Sequence, residues 1–150
     1  MSRRTVEITP DLMLRAYRAG LFPMAETRRG DRLYWLDPEF RGVLPLDRFH
    51  LPRRLLRTVQ SDTFTVAVDE DFPAVIAMCA APVPGREDTW INRQIEQLFI
   101  ELHHLGHAHS VEVRQDGQLV NGNRPLFDQG VHQHGAMPAI VGYVQSGIVM

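Results

Sequence analysis

The chain has 150 residues, which is enough for one domain with a core of moderate size. Its hydrophobic content of 44% and charged content of 23% are near globular averages, which argues against a disordered chain. No apolar run approaches the roughly 20 residues of a membrane-spanning helix, and the N-terminus lacks the apolar stretch of a secretory signal. The single cysteine, Cys79, excludes an internal disulfide and fits a reducing compartment, so we expect a cytoplasmic protein.

Charge is distributed unevenly along the chain. Residues 1–60 hold 12 arginines and 7 acidic residues, whereas residues 61–120 hold 3 arginines and 10 acidic residues. A basic N-terminal part is expected for a phosphate-rich partner, although a solvated face with scattered charge gives the same pattern. Residues 121–150 hold only two charged residues and five of the eleven glycines, with no clear helical or strand period.

The first predicted elements are short. The sequence Thr9-Pro10-Asp11 supplies a hydroxyl cap, a proline at the first helical position and an acid in the first turn, and Gly20 ends the predicted helix. Two extended segments follow at 21–24 and 34–38, because a residue before proline avoids the helical region. A short basic helix is predicted at 51–57, with a proline near its start.

Residues 61–120 show a more regular pattern. Segment 64–68 is a predicted strand because of its β-branched residues, and helices are predicted at 72–81 and 92–104. Asp116-Gly117 is a signal for the turn of a two-stranded hairpin. The order of strand, helix, helix and hairpin favours an α+β fold over a Rossmann alternation.

The densest polar cluster is the run of histidines at 103–109. Imidazoles at this spacing could bind Zn²⁺ or Ni²⁺, but no cysteine or carboxylate nearby completes a tetrahedral set. The alternative places His103 and His104 at a helix C-terminus, where positive charge is favourable. We therefore predict no metal site. Cys79 lies in an apolar helix, and this position favours a core residue over a nucleophile.

Aromatic rings and arginines remain as candidate binding groups. Rings stack on unpaired bases and guanidinium groups bind phosphates, so the mixture suits a single-stranded RNA end. Trp90 is the strongest candidate because it lies at a polar helix entrance, where a large ring would reach a surface or cleft. On the sequence pattern alone, Phe22 and Phe99 are predicted to be core residues.

Several of these segments occur together, and in the same order, in one known family. They are 16–23 (AYRAGLFP), 35–38 (WLDP), 49–53 (FHLPR), 89–91 (TWI) and 102–113 (LHHLGHAHSVEV). The Leu-Gly-His-Ala-His-Ser run inside the last segment is the most specific. Taken together, the segments resemble the opening half of the leucyl/phenylalanyl-tRNA–protein transferases.

The resemblance implies an aminoacyltransferase that takes leucine or phenylalanine from aminoacyl-tRNA and joins it to the N-terminal Arg or Lys of a protein. This modification marks the protein for degradation in the N-degron pathway. The implied fold is a small N-terminal domain at 1–60, followed by an acetyltransferase-like (GNAT-like) α+β domain whose first part is 61–120. The tRNA ester is already activated, so the implied enzyme needs no cofactor, neither metal nor ATP. We also expect a monomer.

Site residues carried over from the family fall into two groups. Tyr17, Trp90 and Phe99 would line the site for the aminoacyl-adenosine end. Met24 would join them, at a position where many relatives have tryptophan, and it offers an apolar contact without a flat stacking face. The arginines of the basic helix would contact the tRNA acceptor stem; these are Arg53, Arg54 and Arg57.

The resemblance stops at Val120. The family's later segments, which include the acid and the glutamine assigned to peptide-bond formation, have no counterpart in 121–150, and Asp128 and Gln129 stand in an unrelated context. We therefore expect a truncated chain with an unrelated tail, impaired catalysis and no assignable catalytic residue. Two alternatives stay open: a non-catalytic RNA-binding module, and an acetyltransferase-like enzyme acting on an acyl-CoA. The second is disfavoured because no glycine-rich pyrophosphate loop is present.

Overall fold

The computed structural model describes residues 8–37, 39–40, 46–48 and 50–120. The tail predicted after Val120, with Asp128 and Gln129, lies outside these residues. In the described part, a 3-10 turn spans Leu46–Arg48. The helices and strands are, in chain order, α1 (Pro10–Arg18), β1 (Phe22–Ala25), β2 (Leu33–Leu36), α2 (Arg53–Gln60), β3 (Thr65–Val68), α3 (Phe72–Ala80), α4 (Arg93–His104), β4 (Val111–Gln115) and β5 (Gln118–Leu119).

Every helix and strand predicted from the sequence is present in this part of the chain, with small shifts in the bounds. The α+β prediction is confirmed. The finer assignment to an acetyltransferase-like fold stays a prediction, as does the division into domains at residue 60. No helix among the described residues combines the length and the apolar character that crossing a membrane requires.

Local capping chemistry sets the ends of the helices. The Thr9 hydroxyl accepts a hydrogen bond from the Leu12 N–H at 3.3 Å, which satisfies one of the free donors at the start of α1. Gly20 follows α1 with a φ of +85°, a conformation that side chains with a Cβ rarely adopt. At the start of α3, the Asp71 carboxylate accepts from the Ala74 N–H at 3.2 Å.

Two separate antiparallel sheets are present in the described residues. β1 pairs with β2, which sets Met24 opposite Tyr34. The second sheet has the strand order β3-β4-β5. Its β4–β5 turn has positive φ at both Asp116 and Gly117, as a type I′ hairpin turn requires, so the hairpin prediction is confirmed.

The core lies between the helices and the first hairpin, which is formed by β1 and β2. α3 and α4 pack against each other, and α4 also contacts α1 and β1. α4 is central because one of its faces is buried along its whole length. The largest apolar side chains that are fully buried are Met13, Phe72, Ile76, Ile91, Ile95, Phe99 and Leu102.

Candidate functional site

The four residues predicted to bind substrate lie on α1, β1, α4 and the segment just before α4. Tyr17, in the last turn of α1, packs edge-on against Phe99 of α4, with ring centroids 6.4 Å apart and an interplanar angle of 61°. Trp90 lies shortly before α4, and its carbonyl oxygen accepts from the Ala25 N–H of β1 at 2.9 Å. Met24 is next to Ala25 in β1, and its side chain points to the opposite face of the strand. We call Tyr17, Met24, Trp90 and Phe99 the aromatic junction.

The four side chains of the aromatic junction differ in their access to solvent. Phe99 is fully buried, so its ring supports Tyr17 from behind and presents no open face. Tyr17, Met24 and Trp90 are half-buried. Burial raises the pKa of the Tyr17 hydroxyl well above its ordinary value, so this group stays neutral and can donate a hydrogen bond. Trp90 and Met24 therefore offer accessible apolar surface, and Tyr17 offers a neutral phenol.

A second group of contacts, centred on Arg28, holds the loop after β1 against the entrance of α4. The Arg28 N–H donates to Asp88 Oδ1 at 2.7 Å. Its guanidinium donates to the Ile91 carbonyl at 3.0 Å and to Glu96 Oε2 at 3.2 Å. Asn92 Nδ2 donates to the Gly30 carbonyl at 2.7 Å. Trp90 lies between Asp88 on one side and Ile91 and Asn92 on the other, and these residues are all bonded to the loop after β1. The bonds therefore hold the backbone of Trp90 in place.

Sequence reasoning missed Arg28. Its partners Asp88, Ile91 and Glu96 are 60 to 68 positions away, so no local pattern points to them. The N–H groups of Arg28 and Thr89 both donate to the Asp88 carboxylate and hold its pKa below the ordinary value. Next to this contact is an open cavity of about 650 Å³, lined by Thr27, Arg28, Arg29, Ala80, Pro82, Glu87, Asp88 and Thr89.

The basic helix α2 is more exposed to solvent than the aromatic junction. None of its residues is buried, and Arg53, Arg54 and Arg57 are all exposed. No side chain caps its N-terminus at Pro52. The structure therefore brings the three arginines together on one helix, separate from the four residues of the aromatic junction.

The histidine run forms structural contacts. His103 stacks on Phe72 with ring centroids 4.4 Å apart, and its Nδ1 lies 2.8 Å from the Ala108 carbonyl oxygen, so this nitrogen carries the proton. His109 Nδ1 lies 2.7 Å from Asp69 Oδ2, a contact that lowers the pKa of Asp69. Among the described residues, no set of three or more histidine, cysteine or acidic side chains is arranged to hold a metal ion.

Glu112 is a buried carboxylate that the sequence pattern did not reveal. Its Oε1 accepts from the Ser110 hydroxyl at 2.6 Å and from the Asp71 N–H at 3.2 Å, and its Oε2 accepts from the Glu70 N–H at 3.5 Å. Burial by itself raises the pKa of Glu112, but these donors outweigh it and the pKa is lowered. The carboxylate therefore joins the end of β3 to the start of β4.

The thiol of Cys79 lies in the core, as the sequence predicts. Burial raises its pKa to about 11, even though the nearby charge of Arg86 acts in the opposite direction. A thiol with this pKa stays protonated at neutral pH and is a poor nucleophile.

The described residues thus define an α+β protein with an aromatic-lined junction and a separate basic helix. The sequence model of the leucyl/phenylalanyl-tRNA protein transferase N-terminal domain matches residues 6–39, and that of the leucyl/phenylalanyl-tRNA protein transferase matches residues 43–127. The second match runs seven residues past Val120, so the prediction that the resemblance stops at Val120 is wrong by that much. The chain belongs to the leucyl/phenylalanyl-tRNA–protein transferase family, a family of aminoacyltransferases.

Individual relatives agree with this assignment. A leucyl/phenylalanyl-tRNA–protein transferase from Rhodopseudomonas palustris (strain TIE-1) is 60% identical over 116 residues, which cover 77% of this chain and 52% of that protein. One from Nitrobacter winogradskyi is 58% identical over 124 residues, which cover 81% of this chain and 55% of that protein. One from Rhodospirillum rubrum is 51% identical over 126 residues, which cover 84% of this chain and 59% of that protein. The chain spans about half the length of the curated relatives it matches.

Proposed function

We propose that this chain carries the aminoacyl-tRNA-binding surfaces of a leucyl/phenylalanyl-tRNA–protein transferase with an acetyltransferase-like fold. The reaction moves leucine or phenylalanine from aminoacyl-tRNA to the N-terminal Arg or Lys of a protein, which marks that protein for degradation in the cytoplasm. The observation that supports the proposal is the extent of the family match. Residues 6–39 and 43–127 include all of the aromatic junction and all of α2.

The two surfaces have different roles in this proposal. The aromatic junction receives the aminoacyl-adenosine end, because its half-buried side chains can contact an adenine ring or an apolar amino-acid side chain. The neutral Tyr17 hydroxyl supplies a hydrogen-bond donor to the same end. The exposed arginines of α2 bind backbone phosphates of the acceptor stem, since a guanidinium can donate two parallel hydrogen bonds to phosphate oxygens.

The chemistry that these surfaces serve is aminolysis of an ester. The acceptor's α-amine attacks the ester carbonyl, a C–N bond forms, and the C–O bond to the ribose breaks. The amine's proton leaves with the ribose oxygen. An α-amino group has a pKa of roughly 8, so an appreciable neutral fraction is present at pH 7. Positioning of the two reactants supplies much of the acceleration. No catalytic residue is assigned in this chain.

The role of α2 is tested by measuring affinity for phenylalanyl-tRNA at several salt concentrations. We expect the triple variant Arg53→Ala, Arg54→Ala, Arg57→Ala to bind more weakly and to lower the slope of log K against log salt by roughly 0.7 to 0.9 for each lost phosphate contact. A matched control replaces three other exposed arginines, Arg29, Arg32 and Arg93. An equal loss in the control would assign the effect to net charge alone.

The role of the aromatic junction is tested by comparing phenylalanyl-tRNA with uncharged tRNA. We expect the native chain to prefer the charged form, and Trp90→Ala to remove about tenfold of that preference, because a stacked ring contributes about 1–3 kcal/mol. The α2 triple variant should weaken both forms equally. If Trp90→Ala also weakens both forms equally, the ring does not contact the aminoacyl end.

Transferase activity is tested with phenylalanyl-tRNA and a peptide that begins with Arg. We expect these 150 residues alone to extend the peptide far more slowly than a full-length relative, because the match covers only about half of each relative. Extension at the rate of a full-length relative would contradict the expectation of impaired catalysis.

A further inference from the structure

Arg28 contacts the entrance of α4 on both sides of Trp90 in the sequence. Its backbone N–H donates to Asp88 Oδ1 at 2.7 Å, shortly before Trp90. Its guanidinium donates from Nη1 to the Ile91 carbonyl oxygen at 3.0 Å, directly after Trp90. The same guanidinium donates from Nη2 to Glu96 Oε2 at 3.2 Å, in the first turn of α4. One residue of the loop after β1 is therefore bonded to the chain before and after Trp90.

The bonds on the two sides of Trp90 come from different parts of Arg28. The bond to Asp88 uses the backbone N–H, so it persists when the side chain is shortened to that of alanine. The Trp90 carbonyl also keeps its own bond from the Ala25 N–H. The bonds to Ile91 and Glu96 need the guanidinium and are lost in that substitution. Shortening the side chain therefore releases the chain after Trp90 and leaves the chain before it attached.

The ion pair of Arg28 and Glu96 fits a positioning role better than a stabilising one. Their side chains are 39% and 21% exposed, and a partly exposed ion pair adds little to stability. A planar guanidinium that binds two acceptors at once nevertheless has a defined geometry. One of these acceptors is the carbonyl of Ile91, whose side chain is fully buried in the core. Arg28 thus connects the loop after β1 to a well-packed residue next to Trp90.

We infer that Arg28 is a positioning residue for Trp90, which it holds in the orientation that receives the aminoacyl-adenosine end. The inference rests on the proposed function of the aromatic junction. A binding group must be held within about 0.5 Å of its productive position, so a small shift of the half-buried Trp90 ring weakens its contact with that end. Arg28 acts through Trp90 and not as a phosphate ligand, because its charge is paired with that of Glu96.

The fluorescence of Trp90 tests whether Arg28 positions the ring. The chain has two tryptophans, so Trp35→Phe leaves Trp90 as the single indole. In this background we expect Arg28→Ala to raise the constant for quenching by acrylamide, a neutral probe, by about twofold, because the released ring opens to solvent. Arg28→Lys binds one acceptor at a time and should give an intermediate value. The matched control is Arg32→Ala, at an exposed arginine of the same loop, which should change nothing. Equal quenching with and without the Arg28 side chain would overturn the inference.

The affinities for phenylalanyl-tRNA and for uncharged tRNA test the consequence for the substrate. We expect Arg28→Ala to lower the preference for the charged form by about threefold, which is part of the loss of about tenfold expected for Trp90→Ala. In the Trp90→Ala background the same substitution should cause no further loss, since the two residues act as one unit. A further loss of about threefold there would show that Arg28 acts without Trp90. A slope of log K against log salt that falls by roughly 0.7 to 0.9 would show that Arg28 binds a phosphate. Either result would overturn the inference.

Folding and the proposed function are checked separately. Urea unfolding of each variant shows whether it is fully folded in the binding assay. Should Arg28→Ala not fold, Glu96→Ala takes its place, because it removes one bond of the guanidinium and leaves the bond to Ile91. It should raise the quenching of Trp90 and lower the preference for charged tRNA, each by less than Arg28→Ala, and no change in either would overturn the inference. If Trp90→Ala leaves the preference unchanged, the proposed function of the ring fails, whereas the quenching comparison still decides whether Arg28 positions it.

Discussion

Helices α4 and α2 are both amphipathic in sequence, but the protein uses them in different ways. α4 buries one face along its length, is capped by Asn92, and contacts α1, α3 and β1. α2 buries no residue and has no side-chain cap. The residues that stabilise the fold and the residues proposed to bind a partner therefore lie on different helices. Substitutions around α4 should affect folding first, whereas substitutions on α2 should affect only a bound partner.

The largest expected effect on stability comes from the centre of α4. Phe99→Ala removes a fully buried ring and leaves a cavity behind Tyr17, so we expect a loss of about 4 kcal/mol in the free energy of unfolding. Urea denaturation followed by tyrosine and tryptophan fluorescence measures it. Phe40→Ala, at a ring that is almost fully exposed, is the control and should change little. A loss of under 1 kcal/mol for Phe99→Ala would mean that the Phe99 ring is not packed in the core.

The next effect concerns the cap of α4. Asn92 Oδ1 accepts from the Ile95 N–H at 2.9 Å, while Nδ2 donates to the Gly30 carbonyl. We expect Asn92→Ala to cost about 2 kcal/mol, about 1 for the cap and about 1 for the second bond. Asn92→Asp keeps the cap and loses only the donor, so it should cost about half as much. Equal losses in the two variants would show that the bond to Gly30 contributes the whole effect.

A smaller effect, dependent on pH, is expected at Glu112. Its folded pKa is lowered relative to the unfolded value of about 4.3, so the stability it contributes is present above pH 4.3 and is lost as pH falls through the folded pKa. Glu112→Gln should cost about 1.5 kcal/mol at pH 7 and should make the acid loss of stability shallower. Thermal melts from pH 7 to pH 3 measure both. A variant with an unchanged acid slope would mean that other carboxylates carry the whole dependence.

The smallest effect on stability is expected on α2. The triple alanine variant of Arg53, Arg54 and Arg57 removes exposed side chains from a helix without buried residues, so its free energy of unfolding should stay within about 0.5 kcal/mol of the native value. The same urea denaturation measures it. A larger loss would remove the contrast between α2 and α4, and the loss of tRNA affinity in this variant could then reflect unfolding.

Local sequence signals predicted most of the fold. Thr9, Asn92 and the Asp116-Gly117 turn each act within three residues of their own position, so their signals are complete in a short window. Arg28 and Glu112 were missed because all of their partners except Ser110, which is close to Glu112 in sequence, lie 41 to 68 positions away. From the sequence alone, a charged residue in a loop or a strand is expected to be exposed to solvent. Only the folded structure shows the distant donors or acceptors that bind it.

The candidate site, like the fold, could be predicted only in part from the sequence. The family resemblance selected the residues of the aromatic junction, but it could not show that Phe99 is buried behind Tyr17 or that Trp90 sits between tethered segments. Those facts depend on how α1, β1 and α4 pack. The carbonyl–amide bond between Trp90 and Ala25 is a backbone contact, for which side-chain identity gives no signal.

The bonds of Arg28 and Asn92 have a consequence for the order in which the molecule opens. They join the first hairpin to α4 across 60 to 68 residues of chain, and they are few and partly exposed to water. Closing so long a loop is favourable only after α4 exists, so these bonds can form only late in folding, and they are among the first to open.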